Sequence, residues 1–105
     1  MRGYIFPKIE NIETVKRQWL IEKLHEEVDE CVAEVEAYDD SRNRLAVIAE
    51  TLDVIHVCES ILRNLGVDYV ELEDGINYVI LKNKMRGYYA QDNRSCNAKN
   101  SVQRY

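Results

Sequence analysis

The spacing of the apolar residues constrains the fold more than any other feature of the sequence. Apolar side chains recur every three or four residues from Leu20 to Val35, and the same spacing returns from Val47 to Leu65 and from Leu72 to Ile80. Such a spacing places side chains on one face of an α-helix. Glycine and proline, four and one in 105 residues, are too scarce for a chain built from many turns. We therefore predict an all-α protein.

Three helices follow from the apolar pattern and from the residues that interrupt it. The predicted helices run from Asn11 or Thr14 to Tyr38, from Asn43 to Leu65, and from Asp68 to about Arg86. The polar run Asp39–Asn43 supplies a turn with an N-cap residue, and Gly66 is suited to ending the second helix. Asp68 followed by Glu71 is a capping-box pattern. The predicted architecture is an antiparallel helical hairpin plus a third helix, within an oligomeric helical bundle.

Length and charge limit the classes of function. A chain of 105 residues forms one domain with a thin core, here assigned to residues 1–90, and a polar tail over residues 91–105. Residues 1–81 carry 18 acids and 8 bases, a balance of −10, which argues against nucleic-acid binding. No apolar run is long enough for a membrane span. The three cysteines have no paired or metal-ligand spacing, and we expect Cys31 and Cys58 as small core residues in a reducing compartment. We therefore expect a cytoplasmic protein.

Two acidic pairs have the spacing of a shared site. Glu27 and Glu30 lie on the first predicted helix, and Glu50 and Asp53 lie on the second, each pair three residues apart. At 100° per residue, Glu50 falls within the apolar stripe of its helix and Glu27 borders the stripe of the other. A buried carboxylate without a partner costs several kcal/mol or takes up a proton, so a solvated surface does not explain Glu50 well.

The numbering of these four residues gives a second indication. A hairpin folded about residue 40 pairs residues whose numbers sum to about 80. Glu30 and Glu50 meet this condition, and so do Glu27 and Asp53. Four carboxylates at one level of two helices would repel one another unless they share protons or bind a cation. Oxygen ligands alone favour hard ions, so we predict Mg²⁺, with Mn²⁺ as a possible substitute. A solvated acidic surface remains the alternative.

Basic residues near the acidic pairs could contact an anionic ligand. Lys23 lies one turn before Glu27, where it could bind phosphate oxygens or simply pair with Glu27. Lys84 and Arg86, at the end of the third helix, either complement the helix dipole or bind phosphates. Asn77 on the same helix is a candidate for substrate contact.

The segments Lys23–Glu30 and Glu50–Ile55 together resemble the MazG-type nucleoside triphosphate pyrophosphohydrolases of the all-α NTP pyrophosphatase superfamily. That family is marked by Glu-Glu-x-x-Glu, a gap of variable length, and Glu-x-x-Asp. The chain has both halves, separated by 19 residues, and the basic segment Lys82–Arg86 follows. The resemblance covers roughly residues 15–90.

The resemblance implies an activity and roles for these residues. Glu27, Glu30, Glu50 and Asp53 would bind Mg²⁺, and a nucleoside or deoxynucleoside triphosphate would be cleaved between its α- and β-phosphates. Glu26 or Glu27 would assist deprotonation of the attacking water, and Lys23, Lys84 and Arg86 would contact the phosphates of the substrate. Asn77 stays a candidate for substrate contact that the motif itself does not include. Assembly as a homodimer or homotetramer is also implied. The alternative is a non-catalytic helical module that binds a metal-nucleotide complex or a basic partner.

Overall fold

Every regular element of the described chain is helical. The computed structural model describes residues 3–90, in which a 3-10 helix spans Ile12–Thr14 and three α-helices span Arg17–Ser41 (α1), Arg44–Asn64 (α2) and Tyr69–Met85 (α3). The all-α prediction is confirmed, with no strand between residues 3 and 90. None of these helices is both long and apolar enough to cross a membrane. The predicted polar tail at residues 91–105 lies outside the described residues.

The chain divides into two compact units, Met1–Tyr69 and Val70–Tyr105. The first contains the 3-10 helix, α1 and α2, and the second contains nearly all of α3. The four acidic residues of the predicted metal site belong to the first unit.

The first long helix begins later than predicted. The prediction of a start at Asn11 or Thr14 is wrong, because α1 begins at Arg17 and Val15 is extended, with φ −71° and ψ 137°. Asn64 explains the difference, since its Nδ2 donates hydrogen bonds to the carbonyls of Ile12 (2.9 Å) and Val15 (2.8 Å). The Ile12 carbonyl also accepts a local hydrogen bond from the Val15 N–H at 3.2 Å, so Asn64 adds a second, long-range partner there and supplies one for Val15. Sequence spacing does not reveal these long-range bonds.

The turn between α1 and α2 is shorter than predicted. Asp39 through Ser41 remain helical, and Arg42 ends α1 in the left-handed conformation, with φ 53° and its N–H bonded to the Tyr38 carbonyl at 2.8 Å. Asn43 then caps α2 as predicted, because its Oδ1 accepts a hydrogen bond from Ala46 N at 3.0 Å. Two residues, Arg42 and Asn43, therefore connect the helices.

α1 and α2 contact one another at both ends and in the middle. Side-chain contacts between them are Arg17 Nε to Asn64 Oδ1 (3.4 Å), Cys31 Sγ to Thr51 Oγ1 (3.5 Å), and Arg44 Nη1 to Tyr38 Oη (3.3 Å). The start of one helix thus meets the end of the other.

The segment before the 3-10 helix is attached to α2. The Glu59 carboxylate accepts hydrogen bonds from the backbone N–H groups of Ile5 (2.7 Å) and Phe6 (2.9 Å). Arg63 donates to the Phe6 carbonyl at 2.9 Å, and the Phe6 ring packs against the imidazole of His56. One carboxylate and one guanidinium therefore satisfy three backbone groups of this segment.

The hydrophobic core is smaller than the apolar stripes predict. Among the described residues the buried apolar side chains are those of Ile12, Leu20 and Val57. Val28 and its neighbours toward the turn are exposed, and so is Cys58, which we expected in the core. The 3-10 helix packs on α2, but within the first unit no further element covers the half of the pair nearest the turn.

Candidate metal centre

Carboxylates from both helices of the first unit converge. Glu27 of α1 and Glu50 and Asp53 of α2 each offer an oxygen, and these three oxygens lie within 4.8 Å of one another. In a second group, on α1, oxygens of Glu26, Glu27 and Glu30 also lie within 4.8 Å of one another. Glu27 belongs to both groups. The structure therefore brings together the four residues predicted as metal ligands, with Glu26 beside them.

Helical periodicity explains why two of these acids are removed from water. Glu27 follows the buried Leu20 by seven residues, and Glu50 precedes the buried Val57 by seven, so each acid shares a helix face with a core residue. Glu27 is only 7% exposed. Glu50 is half-buried, and its Oε1 is fully buried without a hydrogen-bond partner. Asp53 is exposed, so the cluster runs from the helix interface to the surface.

Repulsion within the cluster alters the titration of Glu30. The charge of Glu27 is the largest influence that raises the pKa of the Glu30 carboxyl above its ordinary value. Partial desolvation and the charges of Glu50 and Glu26 act in the same direction. The negative charges are thus close enough to oppose one another, and either a proton or a cation relieves the repulsion.

Lys23 contacts the acidic cluster from the same helix. Its Nζ lies 2.9 Å from Glu26 Oε1 and 3.3 Å from Glu27 Oε2. Hydrogen bonds to Glu26 and then to Glu27 raise the pKa of the Lys23 ammonium. Pairing with Glu27, one of the two alternatives for Lys23, is present in the structure. One ammonium group cannot neutralise five carboxylates, so the cluster keeps an excess of negative charge.

A shallow groove adjoins the cluster on α1. It has a volume of about 250 Å³ and is lined by Trp19, Glu22, Lys23 and Glu26. Trp19 is 53% exposed, which is high for the one tryptophan of the chain. We did not predict that Trp19 lines a groove beside the acidic cluster. The helical wheel contains the signal, because Trp19 lies at about 280°, between Glu26 at about 260° and Lys23 at about 320°.

The remaining candidate residues belong to the second unit. Asn77 and Lys84 are exposed on α3, and their spacing of seven residues places them on one face of that helix. Arg86 follows the end of α3, and its N–H bonds to the Lys82 carbonyl at 3.2 Å. At 100° per residue Arg86 falls on the side of α3 opposite Asn77. The three residues therefore do not form one surface of the helix.

No family model, no curated protein and no solved structure matches this chain. Functional inference therefore depends on the chemistry of the carboxylates. Glu27, Glu50 and Asp53 present only oxygen donors, which suit Mg²⁺ and Mn²⁺ better than the softer transition metals.

Proposed function

We propose that the protein is a Mg²⁺-dependent nucleoside triphosphate pyrophosphohydrolase of the MazG type that its motif resembles. It would cleave a ribo- or deoxyribonucleoside triphosphate of the cytoplasmic pool between the α- and β-phosphates, giving the monophosphate and pyrophosphate. One observation carries the proposal: both halves of the acidic motif meet, with oxygens of Glu27, Glu50 and Asp53 within 4.8 Å.

The residues present fit a divalent cation. Glu27, Glu30, Glu50 and Asp53 would hold it, and Mn²⁺ is expected to replace Mg²⁺. The buried Oε1 of Glu50 supports this ligand set, because an acceptor without a partner costs about 1–3 kcal/mol that coordination would offset. When bound, Mg²⁺ supplies positive charge that offsets the charge of a triphosphate and makes water more acidic.

The two candidate catalytic residues have different surroundings, which suggests different roles. Glu27 is buried among the proposed ligands, so it acts as a ligand. Glu26 is exposed and can accept the proton of a water molecule that attacks phosphorus. The bond between the α-phosphorus and the bridging oxygen then breaks, and pyrophosphate leaves.

Cationic and polar side chains would hold the phosphates. Lys23 already lies at the cluster and would exchange its contact with Glu26 for a phosphate oxygen. The resemblance gives Lys84 and Arg86 as further contacts for phosphate, and Asn77 is a candidate for substrate contact. Because Arg86 falls opposite Asn77 on α3, the three residues would not contact a nucleotide from one face of that helix. Arginine suits this role because its guanidinium can make two parallel hydrogen bonds to one phosphate.

We further propose that α1 and α2 form an antiparallel hairpin and that the enzyme assembles as a homodimer or homotetramer. The three side-chain contacts between the helices support the hairpin, since they join residues whose numbers sum to 81 or 82. The small number of buried apolar side chains supports assembly.

Pyrophosphate release from a panel of ribo- and deoxyribonucleoside triphosphates tests the activity. The full chain is expected to release pyrophosphate with Mg²⁺ or Mn²⁺ and not with EDTA. Glu50→Gln should lower the rate on the order of 100-fold or more. Even residues that only hydrogen-bond to a metal ligand typically change metal affinity or activity about 10–100-fold when they are mutated. Glu36→Gln is the matched control, because Glu36 is an exposed acid of α1 outside the cluster.

Two results would contradict the proposal. The first is the absence of turnover for every nucleotide with either metal. The second is full activity of Glu50→Gln. If calorimetry shows metal-dependent nucleotide binding without turnover, the protein is instead the non-catalytic binding module.

A further inference from the structure

A cavity lies at the end of α2, away from the metal centre. Its volume is about 340 Å³, which is within the range of small-molecule sites. Arg63, one of the residues that line it, follows Asp53 by ten residues, or about 15 Å along the helix axis. The rest of the lining comes from the segment before α1 and from the residues between Arg63 and Tyr69, all within the first unit.

Arg63 is held in this cavity by contacts that leave most of its donors unused. Its guanidinium carbon lies 4.0 Å from the centroid of the Tyr4 ring, and its Nη1 donates to the Phe6 carbonyl at 2.9 Å. Glu59, one turn earlier on α2, uses its carboxylate for the N–H groups of Ile5 and Phe6. The half-buried Arg63 forms no ion pair with any residue that the structure describes. A guanidinium has five N–H donors in a fixed fork, so donors remain for the two oxygens of a carboxylate.

The other cation of the cavity is already paired. Lys8 forms a salt bridge with Glu13, and the hydrogen bond from Lys8 is the main cause that lowers the pKa of the Glu13 carboxyl. Asp68 adds a further acidic group to the lining. Because a triphosphate would bring several negative charges close to Asp68 and Glu13, the site suits a ligand with a single negative charge.

Two tyrosine rings form walls of the cavity. Tyr4 and Tyr69 pack edge to face with their ring centroids 5.7 Å apart, and the Tyr4 hydroxyl donates to the Val67 carbonyl at 2.8 Å. A Cβ on Gly3 would come within 3.0 Å of the Tyr69 ring, so the backbone at Gly3 packs closely against that ring. These contacts position Tyr69, which is nevertheless 53% exposed. Its uncovered surface can pack against a second aromatic ring.

We propose that this cavity binds a small aromatic carboxylate, with the carboxylate on Arg63 and the aromatic ring beside Tyr69. The inference goes beyond the proposed function, because it needs neither the metal centre nor a nucleotide. The two parts of the ligand match two features of the cavity, a guanidinium with donors to spare and a tyrosine ring with uncovered surface. The volume of about 340 Å³ accommodates one aromatic ring with its carboxylate.

Calorimetry of the full chain, in buffer without divalent cations, tests the site with phenylacetate as the probe. A Kd of about 1 mM or below is expected, which is within reach of a ligand of about ten non-hydrogen atoms. Acetate lacks the ring, and phenylacetamide lacks the charge. Each of these two compounds should therefore bind at least about 10-fold more weakly than phenylacetate.

Two variants test the two contacts separately. Arg63→Lys keeps the charge but removes the fork of donors, and it should weaken phenylacetate binding about 10-fold or more. Arg44→Lys is the matched control, because Arg44 is an exposed arginine of α2 outside the cavity. Tyr69→Leu removes the aromatic ring and should weaken binding about 3-fold or more. Its control is Tyr78→Leu, since Tyr78 is 66% exposed and lies outside the cavity.

Circular dichroism shows whether each variant keeps its helices. If Arg63→Lys fails to fold, Tyr69→Leu decides the outcome, because Tyr69 is more than half exposed. The proposal would be overturned if the wild type did not bind phenylacetate or bound acetate or phenylacetamide equally well. Unchanged binding by a folded Arg63→Lys or Tyr69→Leu would overturn it too. Normal phenylacetate binding without pyrophosphate release would instead count against the proposed function alone.

Discussion

Replacing Glu50 with glutamine is expected to stabilise the protein in the absence of divalent cations. The Glu50 carboxylate lies within 4.8 Å of oxygens of Glu27 and Asp53, and its Oε1 is buried without a hydrogen-bond partner. Glutamine has nearly the same shape, removes one negative charge, and offers an N–H₂ group that can donate to the neighbouring carboxylates. The substitution therefore removes repulsion without leaving a cavity.

The size of the effect follows from the separation of the charges. Two unit charges 4.8 Å apart repel by about 1 kcal/mol at the dielectric constant of water and by about 3.5 kcal/mol at an effective value of 20. Because Glu50 is half-buried, and because glutamine must still place an amide there, we expect a net gain of about 1–2 kcal/mol. For a domain of this size each kcal/mol corresponds to about 4–8 °C in Tm.

Thermal unfolding followed by circular dichroism measures the stability of wild type and variant, first in EDTA and then with Mg²⁺. In EDTA the Tm of Glu50→Gln should exceed that of the wild type. Saturating Mg²⁺ should stabilise the wild type by about 2.7 kcal/mol at 100 times its Kd and should leave the variant nearly unchanged. The order of the two Tm values should then reverse.

A lower Tm for Glu50→Gln in EDTA would refute this reasoning, because it would mean that the Glu50 carboxylate stabilises the metal-free fold. Glu36→Gln is the control, because Glu36 is an exposed acid outside the cluster. It should change the free energy of unfolding by less than about 0.5 kcal/mol in either condition.

Three further outcomes can be checked on the same protein. Because the pKa of Glu30 is raised above 4.5, the stability contributed by its proton is present below that pH and is lost as the pH rises through the raised pKa. The advantage of Glu30→Gln over the wild type in metal-free urea unfolding should therefore grow from pH 4 to pH 8. Glu59→Ala removes the acceptor of two backbone N–H groups, so the free energy of unfolding should fall by about 1–3 kcal/mol, and proteolysis before the 3-10 helix should be faster; Glu59→Gln should lie between. Trp19 is the one tryptophan and lines the groove with Lys23, so its fluorescence should change when Mg²⁺ and a nucleotide bind; saturating binding by calorimetry with unchanged emission would contradict that location.

The sequence predicts the helices better than their ends. Three helices follow from apolar spacing, and the Asn43 cap follows from residue type, because both signals are local. The start of α1 depends on Asn64, a residue 47 positions beyond Arg17 whose amide holds the preceding carbonyls. No local rule contains that information.

The position of the carboxylates could also be inferred from spacing. The proximity of Glu27, Glu50 and Asp53 required only helical periodicity and a short turn between the helices. The burial of the apolar stripe could not be inferred in the same way. Periodicity identifies the side of α1 that holds Val28, but it does not say whether anything within the chain covers that side.

The two-residue connection between α1 and α2 limits how the sequence can change over evolution. Arg42 and Asn43 have defined conformations. The number of helical residues on each side of them therefore determines which residue of α1 lies beside which residue of α2. A single inserted residue between Glu30 and Glu50 would displace one acidic pair from the other by about 1.5 Å along the axis and about 100° around it. Insertions of equal length on both sides of the turn would keep the pairs level. Because each inserted residue also rotates its pair by about 100°, insertions of about seven residues on both sides of the turn would be needed to keep the pairs level and on the same faces.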